Sequence, residues 1–343
     1  MKNTCSIVLA AGEGTRMKSN MPKVLSKVLF RPLLQWVLNA LSDVEISPVC
    51  VVVGYKSDMI IDYLQKLDLP YETVIQKERK GTAHAVLTAK NFLLENIDKD
   101  VLILNGDGPF MDSRTIKNAY KLHQNQGNDA TVISANIRNP YGYGRIIRDS
   151  HTGTLTSIVE QKDADETTQK INEVNSGGYW FRVSPLLEAL QNIKNNNSQQ
   201  EFYLPDAIGL LLSRGFRVNA YISQSENTVL GANDPIQLSE LNNVARMSIL
   251  KRLMLSGVDI PCTDGVIVTD EVQIGQNTCI LPGTVITGKT VIGTNCVVGP
   301  NSHIENCLIG NNIVLRAIDC ADSRIISDVS IKPFSVVRNN NFV

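Results

Sequence analysis

Residues 9–25, LAAGEGTRMKSNMPKVL, concentrate the side-chain types that grip a polyanion. Gly12 and Gly14 let backbone N–H groups approach an anion closely, while Arg16 and Lys23 add the charge a triphosphate needs. Two familiar phosphate grips are excluded. The dinucleotide fingerprint requires a third glycine where Met17 stands, and the P-loop requires Gly-Lys-Ser/Thr after four spacers. A tight turn carrying two surface cations is the plain alternative.

A second candidate lies in LNGDGPFMD, where an apolar run, Val101 to Leu104, ends in Asn105, Gly106 and Asp107. A carboxylate at the carboxyl end of a central strand faces the ligand crevice of an open sheet. Mg²⁺ takes one or two such carboxylates together with substrate phosphates, which makes Asp107 a candidate metal ligand; its rival is a turn residue in Gly-Asp-Gly-Pro. In QKERKGTAHAV, Gln76 follows another apolar run and Gly81-Thr82 leads into a helix. An amide side chain beside backbone groups could read the edge of a base.

These residues need a scaffold, and the first two-thirds of the chain supplies its pattern. SIVLA, VCVVVG, YETVIQ, DVLILNGD and DATVISA read as buried strands separated by stretches of helical period. In PLLQWVLNAL, for instance, Leu33, Leu34, Val37, Leu38 and Leu41 share one face. The alternation predicts an α/β fold: a mostly parallel, Rossmann-like sheet with helices on both faces and ligands at the carboxyl strand ends.

From about residue 262 the pattern changes. Val268, Ile274, Ile280, Ile286, Ile292, Val298 and Ile304 recur at a spacing of six, with small and turn-forming residues between them. That period belongs to neither an α-helix nor an isolated strand; it marks a parallel β-helix. After Ile304 the register slips, through Ile309, Ile318 and Ile325, so a loosened or capped last coil is expected. At about 18 residues per three-sided coil, about four coils fit before Val343. DPIQLSELNNVARMSILKRLMLSGV reads as a connecting helix, with Gly257 as its stop.

The bulk composition is that of an ordinary soluble globular protein. In 343 residues, 43% apolar and 20% charged with net charge -1, there is no broad basic surface for nucleic acid. No apolar run approaches the ~18 residues of a membrane span, and the first run is too short for a signal peptide, so a cytoplasmic protein is expected. Seven cysteines without a C-x-x-C pair read as small apolar fillers in a reducing compartment.

Taken in order, LAAGEGTRM…PKVL, Q…GTAHAV, GD.P, GYGRI, IVEQKDA, NSG, EFYLPD and GAND resemble a bacterial family. It is that of the bifunctional N-acetylglucosamine-1-phosphate uridyltransferase/glucosamine-1-phosphate acetyltransferase. The opening motif alone indicates a sugar nucleotidyltransferase; GYGRI…IVEQKDA…NSG narrows it to the uridyltransferase type. The resemblance covers roughly residues 5 to 335. It implies a nucleotidyltransferase domain over 1–230, the connecting helix over 231–260 and a left-handed β-helix over 261–343, with homotrimers formed through the β-helix.

The resemblance also implies roles. Leu9, Ala11, Gly12 and Gly14 would contact the nucleotide, with Arg16 and Lys23 on its phosphates. Gln76, Gly81 and Thr82 would read uracil, and Asp107 and Asn233 would hold Mg²⁺. Gly144, Glu160 and Asn175 would bind the amino sugar and its ribose neighbour. The partners would be UTP and a sugar-1-phosphate, with N-acetylglucosamine-1-phosphate as the family expectation.

Three departures bear on this. The family usually has tyrosine where Asn105 stands and a larger aliphatic where Gly108 stands, which leaves a different sugar or another phosphorylated alcohol open. The chain also ends at Val343, before the coils that carry the family's acetyl-transfer residues, so a shortened β-helix without acetyltransferase activity is expected. CoA-dependent acyl transfer through His303, or a non-catalytic scaffold, are the alternatives from other function classes.

Overall fold

The computed structural model describes residues 1–67, 69–326 and 331–342. The chain forms two compact units, Met1–Leu238 and Ser239–Val343. A helix spans Pro235–Leu255.

In the first unit the five expected strands form at Thr4–Ala10, Val49–Val53, Tyr71–Ile75, Asp100–Asn105 and Ala130–Asn136. Thr4–Ala10 is central, pairing in parallel with Val49–Val53 on one side and Asp100–Asn105 on the other. Along it, Cys5 and Ile7 enter one core and Val8 and Ala10 the other, so neither face of the strand meets water. The helix Leu33–Asp43 covers one face with Leu34, Val37, Leu38 and Leu41, as its periodicity requires. Burying such a side chain contributes about 1.5–3 kcal/mol, so this two-sided core is the main force holding the crevice in shape.

The main path of the sheet has one reversed member. Glu173–Arg182 runs antiparallel between Asp100–Asn105 and Ala130–Asn136, with Trp180 and Phe181 fully buried. Its register shifts between Asn175 and Gly178, where Gly177 takes φ 75°. GYGRI runs into, and IVEQKDA runs out of, a hairpin, Arg145–Arg148 with Leu155–Val159, that joins the sheet through Val174 and Arg145.

In the second unit, two- and three-residue strands stack in parallel into three sheets. Val285 pairs with Ile267 and His303, and Val297 pairs with Cys279 and Val314, as a three-walled coil demands. The inward residues Val268, Ile280, Ile286, Ile292, Val298 and Ile304 are all buried; Ile274 is only half-buried. The slip after Ile304 is a shortening of the turns. Val291 pairs with Leu308, one residue short of an 18-residue coil, yet Ile309, Leu315 and Ile325 still point inward. Corner residues Asn277, Asn295, Asn301, Asn306 and Asn312 take positive φ, which asparagine tolerates. Asn341–Phe342 pairs back antiparallel on Val336–Arg338. All seven cysteines are free, and five are buried.

Candidate active site

The carboxyl ends of Thr4–Ala10 and Asp100–Asn105 open into a cleft of about 570 Å³. Leu9, Ala11, Gly12, Gly14, Arg16, Lys23, Gln76, Gly81, Thr82, Asp107 and Asn233 all line it. Eleven of the fourteen residues singled out from the sequence therefore share one site.

The opening loop is shaped around Lys23. Gly14 sits at φ 63°, and a Cβ there would lie 2.6 Å from Lys23 Cβ, so a side chain at Gly14 is excluded twice over. Lys23 begins a short 3₁₀ turn after Pro22 and sends its ammonium across the cleft floor. There it pairs with the Asp107 carboxylate and donates to Asn233 Oδ1 at 2.9 Å. Asn233 is held in turn, because its backbone N–H donates to Gln237 Oε1 at 2.8 Å. Gly231 packs against the Asp107 carbonyl, where a Cβ would come within 3.3 Å. Arg16 is exposed at the mouth and makes no hydrogen bond or ion pair among the described residues, which leaves its fork free for an anion.

The donor set at the cleft floor fits a hard divalent cation. Asp107 and Asn233 aim oxygens at one cationic point, which the Lys23 ammonium takes in this structure. Among the described residues no group of three or more His, Cys, Asp or Glu side chains forms a metal cage. A bound Mg²⁺ would accordingly depend on substrate phosphates for its remaining ligands.

Gln76 is 4% exposed, and its amide Nε2 donates to the Gly81 carbonyl at 3.2 Å. Gly81 takes φ 108°, and a Cβ there would lie 2.5 Å from the Phe202 carbonyl oxygen. Residues 202–204, from the EFYLPD stretch, fasten this loop. Phe202 N–H donates to Lys80 O at 2.8 Å, Ala83 N–H to Phe202 O at 2.9 Å, and Leu204 N–H to Thr82 Oγ1 at 3.0 Å. The two motifs thus act as one structural device.

Gly144, Glu160 and Asn175 form a separate group and do not line that cleft. Asn175 N–H donates to Gly144 O at 2.9 Å, and a Cβ on Gly144 would meet Glu160 Oε1 at 2.9 Å. Asn175 Nδ2 donates to Tyr179 Oη at 2.6 Å. Burial, with Asp163 and Asp206 nearby, raises the Glu160 carboxyl above its ordinary range against the pull of Arg145. The His303 imidazole lies in the other unit, on a β-helix wall, 3.0 Å from Asp319, which also pairs with Arg338.

Sequence reasoning missed several participants. Asn105, noted only as a departure, lines the cleft and presses its amide against Gly177. Glu13 and Arg79 also line it, joined at 2.8 Å across the mouth. His84 hydrogen-bonds to Gln76 at 2.9 Å. Its position two residues beyond Thr82, in the first turn of a helix leaving a candidate base loop, was the available signal.

Residues 5–226 match the nucleotidyl transferase family, and residues 271–306 match the bacterial transferase hexapeptide family of six repeats. The chain is 40% identical over 344 residues to the "Bifunctional protein GlmU" of Caldanaerobacter subterraneus subsp. tengcongensis, covering 100% of this chain and 74% of that protein. It is 42% identical over 332 residues to the protein of the same name from Fervidobacterium nodosum, covering 97% and 70%. A putative glucose-1-phosphate thymidylyltransferase from Bacillus anthracis, solved with sucrose, superposes with TM-score 0.58 at 18% identity. That match covers 71% of this chain and 95% of the other, and is a likeness of fold.

Proposed function

The chain belongs to the nucleotidyl transferase family and, with its hexapeptide repeats, to the family of bifunctional GlmU proteins, and from that premise we propose that it converts UTP and N-acetylglucosamine-1-phosphate to UDP-N-acetylglucosamine and pyrophosphate. The observation that carries this reading is the convergence of Arg16, Lys23 and Asp107 with Gln76 and Gly81 in one cleft. Cations for a triphosphate and an amide with backbone groups for a base line the same cleft.

The sugar-phosphate oxygen attacks the α-phosphorus of UTP, and the bond from that phosphorus to the bridging oxygen of the leaving pyrophosphate breaks. No protein nucleophile or general base is needed, because the attacking phosphate is already anionic at neutral pH. The protein's work is positioning and charge neutralisation. Arg16 and Lys23 neutralise the triphosphate and the departing pyrophosphate. Gly12 and Gly14 bring backbone N–H groups close to the phosphates, and Gln76, Gly81 and Thr82 hold the base. Asp107 and Asn233 would hold Mg²⁺, which supplies charge neutralisation at the phosphates. Lys23 would then exchange its two oxygen partners for phosphate. Gly144, Glu160 and Asn175 would take the sugar and ribose.

Pyrophosphate release with Mg²⁺, across four NTPs and a panel of sugar-1-phosphates, tests the proposal. Turnover confined to UTP and N-acetylglucosamine-1-phosphate is expected, with loss on chelation and recovery on adding Mg²⁺. Turnover with a different sugar phosphate would move the substrate and direct attention to Asn105. No turnover with any pair would refute the reading.

A further inference from the structure

We propose that His84 is a positioning residue that fixes which face of the Gln76 amide meets the nucleobase, and so sets the preference for uracil over cytosine. This inference rests on reading the cleft as a UTP site.

The argument is one of donors and acceptors. One atom of the Gln76 carboxamide lies 3.2 Å from the Gly81 carbonyl oxygen and 2.9 Å from His84 Nδ1. A carbonyl oxygen only accepts, so that atom is the amide nitrogen. Its two hydrogens go one to each neighbour, which makes His84 Nδ1 an acceptor and puts the imidazole proton on Nε2. Both amide hydrogens are then committed. What Gln76 has left is Oε1, which has no partner among the described residues although Gln76 lines the cleft.

Turning the amide over would set Oε1 against the Gly81 carbonyl, acceptor against acceptor. With the imidazole proton on Nε2, His84 Nδ1 is a second acceptor, and a turned amide would set Oε1 against it as well. The imidazole is itself fixed by the helix Thr82–Thr88, whose first turn is tied to Phe202. Thr88 Oγ1 donates to the His84 carbonyl at 2.8 Å within the same helix. The base therefore meets an acceptor. Uracil presents N3–H, a donor, and satisfies it; cytosine has a bare N3 at the same ring position, acceptor against acceptor. An unpaired polar pair in a closed site is the kind of mismatch that discriminates between ligands of the same shape.

The test compares kcat and KM for UTP and CTP in the wild type, His84→Asn and His84→Phe, with thermal melts alongside. Asparagine can place its side-chain oxygen where Nδ1 stands and accept the same hydrogen; phenylalanine cannot. His84→Phe is expected to raise the KM for UTP about tenfold with kcat nearly unchanged, and to lower the UTP-to-CTP ratio of kcat/KM at least tenfold. His84→Asn should keep both near wild type. An unchanged ratio in His84→Phe overturns the proposal, as does an equal fall of kcat in both variants, which marks a structural role. Should His84→Phe not fold, His84→Ala carries the same comparison without the added ring. A wild type that does not favour UTP over CTP would instead remove the UTP reading itself.

Discussion

Lys23 and Asn233, separated by 210 positions in the chain, are joined by a 2.9 Å hydrogen bond, and the same ammonium pairs with Asp107. One lysine thus bridges the two residues that would hold a metal ion. Lys23→Met should free both oxygens, so Mn²⁺ measured without nucleotide should bind more tightly to the variant. Turnover should still fall, because the triphosphate loses a cation. Weaker Mn²⁺ binding in Lys23→Met would show that the ammonium organises these oxygens rather than competing for them.

Asp107→Ala and Arg16→Ala should each cut kcat by 10²-fold or more at saturating Mg²⁺, in line with the ~2.7–4 kcal/mol lost with one preorganised charge-stabilising group. Steady-state pyrophosphate release reads this directly. Near-normal rates in either variant would remove that residue from the machinery.

Gly81→Ala tests the fastening between the base loop and residues 202–204. The added Cβ would lie 2.5 Å from a backbone oxygen at φ 108°, where alanine is strained by about 1–3 kcal/mol before the clash is counted. A lower Tm and a raised KM for UTP are expected together. A variant with wild-type Tm would show that the 202–204 segment gives way freely.

Glu160→Gln should stabilise the fold at neutral pH while weakening sugar binding. A carboxyl raised in the folded protein favours its protonated form there, so its contribution is present below its unfolded value and is lost as pH rises through the raised one. The glutamine variant should accordingly melt higher than wild type near pH 7. The gap should close as pH falls toward 4, where both side chains are neutral. Melting curves across that range check the sign; a wild type more stable at pH 7 would reverse it.

The β-helix offers a surface for association. Val291 and Leu308 are neighbours across two strands of one wall and each is 36% exposed, and Val314, on another wall, is 49% exposed. We expect homotrimers formed through this unit, and Leu308→Glu should shift light scattering from trimer toward monomer. A monomeric wild type would contradict the proposal.

Local patterning made much of this legible. Alternation of apolar runs placed the five strands, and helical period put Leu34, Val37, Leu38 and Leu41 in the core. A spacing of six identified the coils because each wall admits one inward aliphatic. The reversed strand Glu173–Arg182 was not visible, since strand direction depends on partners far along the chain.

The sequence by itself determined the residue types and their order: glycines that free the backbone, cations for phosphate, and a carboxylate at a strand end. These depend on neighbours within a few residues, which the string displays. Only the tertiary structure decided that Lys23 lies between Asp107 and Asn233, that residues 202–204 clamp the loop around Gly81, and that the Gly81 carbonyl and His84 between them take both hydrogens of the Gln76 amide. Hydrogen bonds act over about 3 Å of space, whatever the separation along the chain. Which donor meets which acceptor is therefore fixed when the sheet closes and its loops converge.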